Sequence, residues 1–265
     1  MALLDGLVES VATFSTNHSD SQRPFIIIVM RYTTLFFDLD DTLYPSSTGL
    51  WNAIRDRMSQ FMHERLGLSW EEIPELRRGY YLRYGTTLRG LQIHHEVDAD
   101  DYLAYVHDLP LEEYLQPRPQ VREMLRSLPQ NLWVFTNSDS NHVQRVLRVL
   151  GLSDCFAGVI DVRALNFLCK PEVGAYRQAM RLAGESEPEH CLFLDDSPAN
   201  LAPAKDLGLT TVLVGARQPH PAADYCLQDV LELPDILKKV GEDGHGRQAE
   251  GSRSQRPDGR GNGDH

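Results

Sequence analysis

Five short apolar runs punctuate the chain, and each gives way abruptly to polar residues before a longer stretch of helical periodicity begins. The first, Thr33 to Phe37, is rich in β-branched and aromatic residues and reads as a fully buried parallel strand. Leu132 to Phe135, Ala157 to Ile160, Cys191 to Leu194 and Thr210 to Val214 repeat the pattern. Between the first two runs the period changes: Trp51, Ile54, Met58, Phe61, Met62 and Leu66 recur at helical spacing until Gly67 stops them. A capping box, Ser69 with Glu72, opens another helix, and further helical signals cover Tyr80–Tyr81, Leu88 to Ile93 and Tyr102 to Val106. Later helices are expected over Val121 to Leu128, Asn141 to Leu150, from Pro171 onward as a first-turn residue, over Leu201 to Leu207 and over Val230 to Val240.

Strands alternating with helices require a parallel sheet with right-handed crossovers, so the predicted fold class is α/β with a doubly wound parallel sheet. An insert of helices in a connection that normally takes a few residues is a separate cap. The expected organisation is a core over 30–47 and 117–240, an all-helical cap over 48–116, a poorly ordered extension over 1–29 and a disordered tail over 241–265. Phe25 to Val29 has the composition of an edge strand, and Met30, directly before the central strand, offers a second start for translation.

With 265 residues, 42% of them hydrophobic, the chain can bury a sizeable core. No apolar stretch reaches the length of a membrane span, and Met1 to Ser21 lacks the basic start of a secretory signal. Cys155, Cys169, Cys191 and Cys226 have no paired metal spacing, so reduced thiols and a cytoplasmic location are expected. A net charge of −12 argues against nucleic-acid or membrane-surface partners. A chain so acidic holds a phosphate only where local cations, oriented amides or a metal override the background field.

Such features stand at the strand ends. Asp38 and Asp40 follow the first strand, Thr136 and Asn137 the second, Lys170 precedes a helix, and Asp195 and Asp196 follow the fourth run. Taken one at a time, each group has a plainer reading as a helix cap or a solvated loop residue. Clustered carboxylates at the ligand-binding edge of an α/β sheet repel one another unless a cation joins them, and oxygen donors suit Mg²⁺.

The order and types of these residues resemble the haloacid dehalogenase superfamily, whose phosphatases carry Asp-x-Asp-x-Thr, then Thr or Ser, then Lys, then an acidic pair. The resemblance implies an aspartyl-phosphate mechanism with Asp38 as nucleophile and Asp40 as general acid and base. It further implies phosphoryl-oxygen contacts from Thr136, Asn137 and Lys170, and Mg²⁺ held by Asp38, the Asp40 carbonyl, Asp195 and Asp196. Asp40 points to phosphatase rather than dehalogenase chemistry, and Asp41, where many relatives have Gly, reads as a loop-stabilising residue.

Within the insert, the stretch Tyr80 to Leu91 together with His107-Asp108-Leu109-Pro110 looks like the pyrimidine 5'-nucleotidase branch. That implies a substrate such as UMP or CMP, with Tyr84 stacking on the base and Arg89 reaching phosphate or ribose. The tyrosines equally suit helix packing, and His94, His95 and His107 read as surface or capping histidines. The alternatives are another small phosphate ester (a sugar phosphate, phosphoglycolate or FMN) and, in a different class, a non-catalytic phospholigand-binding protein. A monomer or weak dimer is expected.

Overall fold

The computed structural model describes residues 31–239. The expectations for 1–30 and for 240–265, including the edge strand at Phe25 to Val29 and the start at Met30, lie outside the described residues. Six parallel strands are described: β1 (Thr34–Phe37), β2 (Asn131–Phe135), β3 (Gly158–Ile160), β4 (Cys191–Asp195), β5 (Thr210–Val214) and β6 (Tyr225–Leu227). Their spatial order is β3-β2-β1-β4-β5-β6, the doubly wound arrangement. β1 is central, pairing Phe37 with Val134 on one side and with Leu194 on the other. The chain leaves β1 toward β2 and β3, then returns to the other side at β4, so the sheet opens a crevice at the carboxyl ends of β1 and β4.

Why the strands read as solid apolar runs follows from their two buried faces. Leu35, Phe37, Leu192, Leu194, Val212 and Val214 join one core with α5 (Pro119–Ser127) and α6 (Ser140–Leu150). The intervening Phe36, Phe193 and Leu213 join the opposite core with α7 (Val173–Leu182) and α8 (Pro198–Asp206). The helix expected to start at Pro171 begins at Val173, with Glu172 as its N-cap and Pro171 in the preceding turn. β6 has no counterpart in the sequence reading, because three residues are too few to carry a period.

Between β1 and β2 run α1 (Leu50–Leu66), α2 (Ile73–Tyr84), α3 (Thr87–His95) and α4 (Ala99–Val106), with no strand among the described residues there. They share their own core of Phe61, Met62, Ile73, Tyr80, Leu91 and Tyr102. Two glycines set how this layer sits. A Cβ at Gly90 would lie 2.2 Å from the Tyr80 ring, so α2 and α3 meet there only because the side chain is absent. Gly85 ends α2 at φ +81°, and a Cβ would come 2.8 Å from the carbonyl oxygen of Lys170. The helical layer thus rests directly on the loop that carries the lysine. Among the described residues no helix is long and apolar enough to cross a membrane, and all four cysteines are free thiols.

Candidate active site

Strand ends deliver the motif residues to one place. Asp38 follows β1 and its N–H donates to Leu194 O of β4 at 2.9 Å, which locks its position to the neighbouring strand. Lys170, only 1% exposed, sends Nζ to Asp38 Oδ1 at 2.7 Å, to Asp195 Oδ2 at 2.7 Å and to the Phe135 carbonyl at 3.0 Å. An ammonium has three N–H bonds, so this lysine is saturated by protein acceptors and acts on a ligand as a fixed charge. Burial disfavours its charge, but Asp195 and then Asp38 more than reverse that, and its pKa is raised.

Asp195, fully buried, also accepts from Ser197 N at 2.8 Å and from Asn200 Nδ2 at 3.0 and 3.1 Å. Its oxygens are occupied, so it anchors Lys170 and leaves the cavity-facing role to Asp196. Oxygens of Asp38, Asp195 and Asp196 all lie within 4.8 Å of one another. Burial, only partly offset by Lys170, pushes the Asp38 carboxyl well above its ordinary range, and Asp195 and Asp196 add to the rise. Asp196 is pushed up to about 7 by burial and then by Asp195, although its side chain opens to the cavity. Three carboxylates sharing one ammonium are an electrostatic deficit that a divalent cation corrects, and hard oxygen donors of this kind fit Mg²⁺. The Asp40 carboxylate takes no part in this group.

A measurable pH dependence follows. A carboxyl whose folded pKa is raised contributes stability that is complete below its unfolded value near 4 and is lost as pH climbs through the folded value. For Asp196 that window runs from about 4 to about 7, and Asp41, pushed up to about 6 by burial and by Asp40, acts in the same sense. The cation-free protein should therefore lose a few degrees of thermal midpoint between pH 5 and pH 8, at roughly 2–4 °C per kcal/mol, and Mg²⁺ should restore it at pH 8. Equal midpoints at pH 8 with and without Mg²⁺ would remove Asp38 and Asp196 as its ligands.

Asp40 faces another way. Its Oδ1 accepts from the Tyr44 hydroxyl at 2.6 Å and from His142 Nε2 at 2.9 Å, and its Oδ2 accepts from Ser138 Oγ at 3.0 Å. Burial alone would raise its pKa, yet His142 and then Tyr44 outweigh it and hold the carboxyl well below the usual range. His142 in turn stacks on His107 at 4.1 Å between ring centroids and 17° between planes. His107 Nδ1 lies 3.2 Å from Asp139 Oδ1, off the line of a good hydrogen bond. Burial, and next the neighbouring His142, lower the His107 pKa, which favours its neutral form. Asp40 is thus separated from the metal-type acids and fixed in one rotamer, with its charge engaged by donors.

The Asn137 side chain serves the loop of Lys170. Its Nδ2 donates to the Lys170 carbonyl at 2.9 Å and its Oδ1 accepts from Lys170 N at 2.9 Å, a two-point clasp on the lysine's backbone. Its main-chain N–H has no acceptor among the described residues and is the donor left for a ligand. Thr136 Oγ1 accepts from Ser138 N at 3.1 Å, so the hydroxyl proton remains available to the cavity. Asp41 stands at φ 58°, the left-handed region where glycine is easiest, which fits its loop role.

These groups floor a cavity of about 610 Å³ whose other wall is built by α1, α2, α3 and α4. The expected substrate contacts in the cap require correction. Tyr84 and Arg89 are not on the cavity wall: the Tyr84 hydroxyl pairs with His94 Nε2 at 2.7 Å, and Arg89 is exposed beside the cap residue Thr86. The physical reason is helix rotation. α3 buries Leu88 and Leu91 against the insert's core, which turns Arg89 outward, and Tyr81 rather than Tyr84 faces the ligand space. His107 also needs correction, since it caps α4 as expected but its ring is buried and borders the cavity.

Sequence reasoning also passed over Tyr44, His142, Asp139 and Asn200. His142, in the first turn of the helix that directly follows the second motif, is the one whose position carried a signal. Comparison with known proteins agrees with the geometry. The family model for haloacid dehalogenase-like hydrolases matches residues 32–208. The chain is 30% identical over 235 residues to phosphate metabolism protein 8 of Saccharomyces cerevisiae, covering 76% of this chain and 71% of the relative. It is 24% identical over 227 residues to glyceraldehyde 3-phosphate phosphatase of Methanocaldococcus jannaschii, covering 79% and 98%. The magnesium-bound HAD-fold protein YfnB of Bacillus subtilis superimposes with a TM-score of 0.55 at 19% identity, covering 78% of this chain and 99% of that one. A HAD phosphatase from Thermococcus onnurineus gives 0.53 at 23%, covering 77% and 97%.

Proposed function

This chain belongs to the haloacid dehalogenase-like hydrolases, and on that premise we propose that it is a Mg²⁺-dependent phosphomonoesterase working through an aspartyl phosphate on Asp38. The single observation that carries the reading is the division of labour among the acids. Asp38 is held by a saturated lysine beside Asp196, while Asp40 is held apart by His142, Tyr44 and Ser138 for proton transfer.

Asp38 attacks phosphorus, and the new P–O bond forms as the ester P–O bond breaks. The leaving oxygen takes a proton relayed through Asp40 from His142 Nε2, and Asp40 then passes back to His142 the proton it accepts from the water that attacks the aspartyl phosphate. Inorganic phosphate and free Asp38 result. Thr136 Oγ1 and the Asn137 N–H donate to phosphoryl oxygens, and Lys170 offsets charge at the nucleophile. When bound by Asp38, Asp196 and the Asp40 carbonyl, Mg²⁺ supplies charge neutralisation of the phosphoryl oxygens.

Small phosphate esters are the substrate class. Relatives named for a triose phosphate phosphatase and a β-phosphoglucomutase support it. The finer reading, a pyrimidine nucleoside monophosphate such as UMP or CMP, loses Tyr84 and Arg89 as its contacts and rests instead on cavity volume and on Trp51 and Tyr81. Phosphate release with Mg²⁺ from p-nitrophenyl phosphate, UMP, CMP, sugar phosphates, phosphoglycolate and FMN tests both levels. Release from no ester removes the phosphatase reading, and UMP and CMP ranking with the rest removes the nucleotide.

A further inference from the structure

The cavity has two walls of opposite character. Its floor carries Asp38, Asp40, Asp41 and Asp196, and its roof carries Arg55 of α1 and Arg77 and Arg78 of α2. Some arginines of this acidic chain find acids, as Arg118 does with Asp229, Arg122 with Asp154 and Arg163 with Asp100, and others stand in solvent; the three roof arginines line the cavity itself. Among the described residues no carboxylate lies within ion-pair distance of any of them.

Arg77 is the most telling. Its Nη1 donates to Ser59 Oγ at 2.9 Å and its Nη2 approaches the Met58 sulfur at 3.8 Å, while its Nε is buried with no acceptor. A half-buried guanidinium with donors to spare is costly unless an anion completes it. Burial lowers its pKa, which Tyr102 only partly opposes, and the charge of Arg55 adds to the fall. The transferred phosphoryl group is already served on the floor, by Thr136, the Asn137 N–H and the metal-type acids. The roof cations therefore face the other end of the substrate.

We propose that the cap reads a second anionic group, a carboxylate or a phosphate at the end of the substrate remote from the scissile ester, through Arg55, Arg77 and Arg78. The inference rests on the phosphomonoesterase reading above and narrows it. Guanidinium forks pair with two oxygens of either anion at once. A pyrimidine nucleoside monophosphate, whose base is uncharged, leaves all three unused.

The test uses matched esters on the full chain with Mg²⁺. Phosphoglycolate is compared with 2-hydroxyethyl phosphate, and fructose 1,6-bisphosphate with fructose 1-phosphate, alongside UMP and p-nitrophenyl phosphate. In at least one pair the charged ester should have a kcat/KM about tenfold or more above its neutral twin, and the pair that shows it tells carboxylate from phosphate. That ratio should fall about tenfold in Arg77→Gln, chiefly through KM, and in Arg55→Gln/Arg78→Gln, whose exposed sites do not threaten folding. Arg148→Gln, exposed on α6 away from the cavity, should leave the ratio unchanged. Equal rates within each pair, a ratio that survives in both arginine variants, or UMP outranking every doubly charged ester overturns the proposal while leaving the phosphatase intact. No turnover of p-nitrophenyl phosphate removes the phosphatase reading and this inference with it.

Discussion

Replacing Asp38 with Asn is expected to reduce phosphate release by about 10³-fold or more while raising the thermal midpoint of the cation-free protein. The amide cannot attack phosphorus, so the loss falls on turnover, and about 10³-fold corresponds to roughly 4 kcal/mol of barrier. The gain in stability has a separate cause. Burial and the neighbouring Asp195 and Asp196 already disfavour the ionised Asp38 carboxyl, so a neutral side chain of the same shape relieves the folded state. Lys170 keeps Asp195 as its counter-charge at 2.7 Å, so the substitution leaves no buried cation alone. Steady-state phosphate release and a melting curve are the measurements, and turnover within tenfold of wild type would sink the nucleophile assignment.

Lys170→Met should fail in both respects at once. Among the described residues its ammonium is the one cation touching Asp38 and Asp195, and it lies near the rings of Phe135 and Phe193 at 5.1 and 5.2 Å. Removing one partner of a buried ionic group costs about 3–5 kcal/mol, or roughly 10 °C of midpoint for a protein of this size. Turnover should fall about 10²-fold or more, because the nucleophile loses the contact that fixes its orientation. Lys170→Arg should not rescue it, since a planar fork cannot occupy a pocket built for one point charge. A midpoint within about 3 °C of wild type would show that the three carboxylates do not depend on this lysine.

The two substitutions move stability in opposite directions for one reason, which is that the site holds more negative charge than its own cations balance. On the proposed mechanism that imbalance is what draws both a cation and a phosphoryl group to the site.

How much of this was legible beforehand varies by residue. Asp38, Thr136, Lys170 and Asp196 were visible because an apolar run that stops at a carboxylate or hydroxyl marks a strand end. In a parallel sheet all carboxyl ends share one edge. The helical insert was visible through its period, and Asp41 through the glycine that many relatives carry at its place. Asn137 was recognised as part of the site but not for its clasp on Lys170, since its partner stands 33 positions away. Tyr84 and Arg89 lie off the cavity wall because each residue along a helix turns the side chain by about 100°, and the rotation of α2 and α3 about their axes is not written in their period. Which of Tyr81 and Tyr84 meets the ligand depends on how α2 packs against α3 at Gly90.

By itself, the order of polar and apolar residues determined the parallel sheet, the helical insert and the edge at which the acids gather, because these depend on period and on strand direction alone. Tertiary structure alone decided which carboxylate meets which partner. It turned Asp40 onto His142 and Tyr44, spent Asp195 on Lys170, and set three arginines opposite the acids. Those outcomes depend on distances between residues far apart in the chain, and charge responds to distance and burial rather than to position in a sequence.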